Sequence, residues 1–111
     1  MTIQKSAISN AFQLFMSEAP QHAQVWMVAV KGLDSASALE KKTEELAYLA
    51  VLAALRMESG IPFHVQSAKN AGALREEVIS AILVGLPAAG NSVTQVLPAA
   101  IAAFDDSQPS H

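Results

Sequence analysis

Prolines at 20, 62, 87 and 98, together with glycines at 32, 60, 72 and 90, cut this chain into short segments, and most of these carry apolar residues at helical spacing. Proline cannot continue a helix or donate to a sheet ladder, but it fits the first turn of a new helix. Alanine and leucine are abundant and aromatic residues few, which suits close helix packing better than a β-sandwich. The pattern predicts an all-α domain of about six helices. At 111 residues the chain is long enough for one hydrophobic core.

The segments read in order as follows. Ser6 to Ala19 places Phe12, Phe15 and Met16 on one side and closes at Pro20, which opens a short second helix ending at Gly32. Leu33 to Ala38 is a linker. Leu39 to about Met57 is the longest helix, opened by acidic residues that favour its N-terminus. Ser59-Gly60 breaks it, and Pro62 starts a fourth helix running to Gly72. A fifth begins near Leu74 and runs toward Pro87, and Ala88 to Asn91 is a turn. A last helix, capped by Asn91 or Ser92 and kinked or interrupted at Pro98, ends near Phe104, with Asp105 to His111 as a frayed tail.

Charge excludes some functions. Seven Lys and Arg against ten Asp and Glu give a net charge of −3 with no basic stripe, so a nucleic-acid partner is not expected. The longest apolar stretches, Leu46 to Leu55 and Val78 to Leu86, are about half of the ~20 residues needed to span a bilayer. Met1 to Phe12 carries Lys5 without the apolar run of a signal peptide, so no membrane partner and a cytoplasmic location are expected. His22 and His111 have no companions at metal spacing, and no phosphate-cradling loop or nucleophile elbow occurs, so neither metal nor other cofactor is expected. The Ala47 to Leu55 run is apolar on more than one face, which predicts a homo-oligomer; a tightly wrapped monomer is the alternative.

Between residues 39 and 90 the chain reads Lys42-Thr43-Glu44-Glu45-Leu46, an Ala-rich helix, Phe63-His64-Val65 with Ala68 and Gly72 at four-residue steps, then Arg75-Glu76-Glu77-Val78. This resembles the carboxymuconolactone decarboxylase and alkylhydroperoxidase D family, whose usual form is a Lys-Thr-x-Glu-Leu helix, a Cys-x-x-Cys-x-x-x-His segment and a Gly-Ala-Thr-x-Glu-Glu helix start. The family core would cover about residues 39 to 104. The resemblance implies the family's helical bundle, a trimer or hexamer, and a general base and histidine at Glu45 and His64.

The two cysteine positions fall on Met57 and Gly60, and the chain has no cysteine at all. Peroxide reduction of the family's kind needs a thiolate and a resolving thiol, and Met57 supplies neither. The acidic residue often found at the second position in the decarboxylase branch is also missing, with Glu58 the nearest substitute. What remains is compatible with proton transfer on a small carboxylate ligand. The candidate catalytic residues are therefore His64, Glu45 and Glu58. The first two have plainer readings: His64 as a hydrogen-bonded packing residue, Glu45 as a solvated charge early in a helix, with Arg56 too far along the axis to pair with it. A non-catalytic binding or scaffold protein is the corresponding alternative function.

Overall fold

The computed structural model describes residues 7–106, and every regular element among them is helical. The elements are α1 (Asn10–Glu18), α2 (Pro20–Ala36), α3 (Lys41–Ala54), α4 (Ile61–Asn70), α5 (Arg75–Leu83), the single turn α6 (Leu86–Ala89) and α7 (Leu97–Asp105), with 3-10 segments at Glu58–Gly60 and Asn91–Val96. Helices α3, α4, α5 and α7 pack on one another as the body. Leu49, Leu52, Ile61, Val65, Val78, Ile82, Val93, Val96 and Ala100 fill its core. Helices α1 and α2 form a hairpin, and α2 packs mainly along α1. No helix of the described residues is long and apolar enough to cross a membrane.

The helix starts follow the punctuation. Ser9 caps α1 by accepting the Phe12 N–H at 3.1 Å, so this helix begins later than the spacing suggested; Ser6 lies outside the described residues. Prolines fall in the first turns of α2, α4, α6 and α7. Pro98 thus interrupts the last segment, which is a 3-10 stretch up to Val96 and an α-helix after it.

Two helix ends differ from the sequence expectation. Gly32 does not stop α2, which runs on to Ala36 and, at 17 residues, is the longest helix. An interior glycine costs only about 1 kcal/mol against alanine, and the residues after Gly32 do not break a helix until Ser37. Helix α3 is shorter than expected and ends at Ala54 rather than near Met57. There Met57 N–H bonds the Leu52 carbonyl at 2.9 Å and Arg56 N–H bonds the Ala53 carbonyl at 3.1 Å, with Arg56 at φ +56°. This is the paired-bond termination normally completed by glycine. The end of α4 is built the same way, from Ala73 to Ala68 at 2.9 Å and Gly72 to Lys69 at 3.0 Å, and there a glycine does occupy the left-handed position at φ +100°. An arginine in that conformation carries backbone strain that Gly72 avoids.

Asp105, expected to open a frayed tail, belongs to the last helix instead. Asp105 closes α7 and accepts two bonds from the Arg75 guanidinium, at 2.9 and 3.1 Å, which ties the last helix to the first turn of α5. Residues 107–111, with His111, lie outside the described part.

Leu74 is the N-cap of α5, as the sequence indicated, with extended backbone (φ −85°, ψ 159°). The Glu77 carboxylate accepts the Leu74 N–H at 2.8 Å, which is one half of a capping box. Leucine offers no oxygen for the other half. Because Leu74 is 57% exposed, replacing it forfeits little burial. Leu74→Thr is expected to raise unfolding stability by about 0.5–1 kcal/mol in urea titrations at fixed protein concentration. In a double-mutant cycle with Glu77→Ala the gain should be coupled to Glu77; additive effects would show that no reciprocal box forms.

Candidate functional site

Glu45 is the one buried charged side chain among the described residues, at 6% exposure in a body otherwise filled by aliphatic groups. Helix geometry places Lys41, Glu45 and Tyr48 on one face of α3, and His64 and Ser67 on one face of α4. Where the two helices meet, Glu45 Oε1 lies 2.9 Å from His64 Nδ1, while Oε2 accepts the Ser67 hydroxyl at 2.9 Å and the Lys41 ammonium at 3.0 Å. No buried side-chain nitrogen or oxygen is left without a partner among the described residues.

The electrostatics follow from these contacts. Burial, the largest single influence, pushes the Glu45 carboxyl upward, but the bonds from His64 and Lys41, with a smaller contribution from Ser67, outweigh it and hold the group below the ordinary carboxylate value. In turn the bond to Glu45 raises Lys41, despite its partial burial. An ionised carboxylate can only accept, so His64 Nδ1 carries the hydrogen of that bond. In the neutral ring the lone pair is then on Nε2. The His64 side chain is a quarter exposed, and its ring lies 4.4 Å from that of Tyr48 and 5.1 Å from that of Phe63, the latter edge-on. These contacts fix the plane of the imidazole while a part of it faces outward.

Glu45 and His64 are therefore brought together, across 19 residues of sequence. Glu58 is not joined to them. It is exposed on the 3-10 turn before α4, where its backbone carbonyl accepts the Ile61 N–H, and its carboxylate makes no hydrogen bond or ion pair among the described residues. Arg56 does not reach Glu45 either; the cation that does is Lys41, one turn earlier on the same helix, which also lies 3.7 Å from Asp34 of α2. The sequence reading missed Lys41, Ser67 and Tyr48. Lys41 stands four residues before Glu45 and Ser67 three after His64, spacings that place each beside the named residue on its helix.

Met57 and Gly60 lie on the α3–α4 connection. Met57 is half exposed, and a Cβ added at Gly60 would touch Leu52 at 3.4 Å, which is ordinary contact. Among the described residues no cluster of metal-ligating side chains occurs. Two open surface concavities lie elsewhere, one between α1 and α2 and one between α3 and α5; neither is lined by Glu45 or His64.

Compared with known families, residues 20–103 match the model of the carboxymuconolactone decarboxylase family, from the first residue of α2 to the last turn of α7. No curated protein matches the chain.

The depressed Glu45 carboxyl has a measurable consequence. Its folded value lies below the unfolded value of about 4.3, so ionised Glu45 stabilises the fold fully above that pH, and the contribution is lost as pH falls through the folded value. Unfolding free energy followed by urea titration between about pH 6 and 3 should therefore fall on the acid side, and Glu45→Gln should fall less steeply. Glu77 and Asp105, also held low, account for part of the slope that remains. Equal slopes in the two proteins would show that Glu45 does not titrate as this network requires.

Proposed function

The chain belongs to the carboxymuconolactone decarboxylase family, and we propose that it is a cofactor-free lyase or isomerase in which His64 and Glu45 move a proton on a small carboxylate substrate. The observation that carries this reading is the buried, ionised Glu45 bonded to His64 Nδ1. The arrangement fixes the tautomer and orientation of an imidazole whose Nε2 is available as a base, the role a carboxylate plays toward histidine in many proton-transfer sites.

In this reading His64 Nε2 removes a proton from a carbon activated by the neighbouring carboxylate or lactone. The imidazolium so formed faces Glu45 and returns the proton to a second carbon, which completes an isomerisation; in a decarboxylation no carbon is deprotonated first, the bond to the carboxylate breaks with its electron pair left on the substrate carbon, and His64 that has taken a proton from solvent protonates that carbon as carbon dioxide leaves. Lys41 and Ser67 hold Glu45 in place and take no part in the transfer. The anionic substrate lies toward the first turn of α4, where the positive end of the helix dipole favours negative charge. Glu58, exposed one residue past the first cysteine position, is assigned at most an auxiliary contact with the far end of the substrate. Thiol peroxidase chemistry is not part of the proposal, since the chain holds no residue that can cycle through a sulfenic acid.

A second reading, a non-catalytic scaffold or binding member, draws on the position of the two concavities away from the His64–Glu45 pair. In that case the network is a clamp between α3 and α4.

Small organic acids and lactones, screened by calorimetry and by turnover, separate the two. Under the proton-transfer reading His64→Ala and Glu45→Gln each abolish turnover, by about a hundredfold or more, while circular dichroism and assembly stay as in the unsubstituted protein; Glu58→Gln has a much smaller effect. The scaffold reading forecasts no turnover by the native protein and loss of thermal stability in His64→Ala. In either case alkyl hydroperoxide with a dithiol reductant should give no reduction above the uncatalysed rate, and turnover there would refute the cysteine argument.

A further inference from the structure

Tyr48 stands about one turn after Glu45 on α3, and its ring centre lies 4.4 Å from that of His64, the two planes tilted by 46°. Glu45 holds the Nδ1 edge of the imidazole, so the edge left for a ligand is the one that carries Nε2. Tyr48 is 47% exposed, and its hydroxyl makes no hydrogen bond among the described residues. A phenylalanine would cover the imidazole equally well. What tyrosine adds is an O–H that no described group claims.

The other donors nearby are committed. Lys41 is held by Glu45 at 3.0 Å, the Ser67 hydroxyl donates to the same carboxylate at 2.9 Å, and Lys42 is held by Glu77 at 3.2 Å. Phe63, which meets the imidazole edge-on from α4, has no donor in its side chain. Among the described side chains seen against His64, Tyr48 is therefore the one with a hydrogen bond left to give.

Proton abstraction from carbon calls for such a group. When Nε2 takes a proton from the carbon beside a carbonyl, the electron pair of the broken C–H bond moves onto the carbonyl oxygen, and a donor already in place there lowers the barrier. Glu45 stabilises the imidazolium but offers nothing to that oxygen. We infer that the Tyr48 hydroxyl donates a hydrogen bond to the oxygen that gains charge as His64 takes the proton, which makes Tyr48 a further catalytic residue. This rests on the proton-transfer reading above and narrows it. The activating group is a neutral carbonyl, of a ketone, ester or lactone, because a carboxylate in that place would have to bear a second negative charge that one uncharged hydroxyl cannot offset; a carboxylate elsewhere in the substrate serves binding. The phenol keeps its proton throughout. The pair returns from the oxygen to the second carbon as the imidazolium delivers its proton there, so nothing is left on the protein.

Three probes test this. Para-substituted phenolates imitate the oxygen of an enolate; α-angelica lactone, whose double bond lies out of conjugation with its carbonyl, reports isomerisation by ultraviolet absorbance; vinylacetate carries a carboxylate as its only activating group. Calorimetric affinity of the unsubstituted protein for the phenolates should rise with their basicity, and Tyr48→Phe should lose that dependence while circular dichroism and thermal unfolding stay unchanged. Isomerisation of the lactone should fall in Tyr48→Phe by about a hundredfold in kcat with KM shifted only a few-fold, His64→Ala should abolish it, and vinylacetate should not react. Unchanged turnover in Tyr48→Phe, where His64→Ala removes activity, would overturn the inference and leave the His64 base standing, and vinylacetate isomerised as fast as the lactone would overturn the substrate class. If the unsubstituted protein isomerises neither compound, the proton-transfer reading fails and the phenolates decide alone: a basicity dependence lost in Tyr48→Phe supports the hydrogen bond, whereas one retained there, or no binding at all, overturns it.

Discussion

A carboxylate placed in an aliphatic body must be supplied with donors, and that requirement organises the centre of this protein. Glu45 gathers a hydroxyl, an imidazole and an ammonium from two helices, and in doing so fixes how α3 and α4 face each other. Removing one donor leaves a charge in a place where water cannot replace it. The same economy explains Lys41 at the first position of α3, where a cation opposes the helix dipole. Its bond to Glu45 outweighs that local penalty.

The rest of the body is arranged around this pairing. Leu49 and Leu52 continue the inward face of α3 beyond Glu45, and Ile61, Val65 and Ala68 do the same for α4, so the polar network lies at one edge of the aliphatic core rather than across it. Tyr48 and Phe63 close over the imidazole from either helix. The hairpin of α1 and α2 stands outside this scheme, joined to it through the Ser37–Glu40 connection and the longer Lys41–Asp34 approach.

Much of this was legible in the sequence, because proline and glycine act locally. The starts of α2 and α4 and the N-cap at Leu74 follow from residues that permit few alternatives, whereas the last α-helix, expected from a cap at Asn91 or Ser92, starts only at Leu97 after a 3-10 stretch. The errors fell where tertiary or hydrogen-bond context decides: Gly32 is tolerated inside α2, and α3 ends at a left-handed arginine that no propensity would select. At the site, the residue types of Glu45 and His64 stood out through the family pattern. Their contact did not, since it depends on the rotation of two helices separated by a turn. Ser67 and Lys41 were overlooked for a different reason: each is ordinary alone, and only the buried carboxylate gives them a role.

The two helix ends closed by the same pair of backbone bonds, one around Gly72 and one around Arg56, are not equal in resistance to opening. Strain lowers the free energy needed to undo the end of α3, while the end of α4 is relaxed. Of these two ends, the one that leads from Leu55 to Gly60, one turn before His64, is therefore the easier to open. The imidazole of His64 thus has, on the side of the α3–α4 connection, the more strained of the two ends as its neighbour.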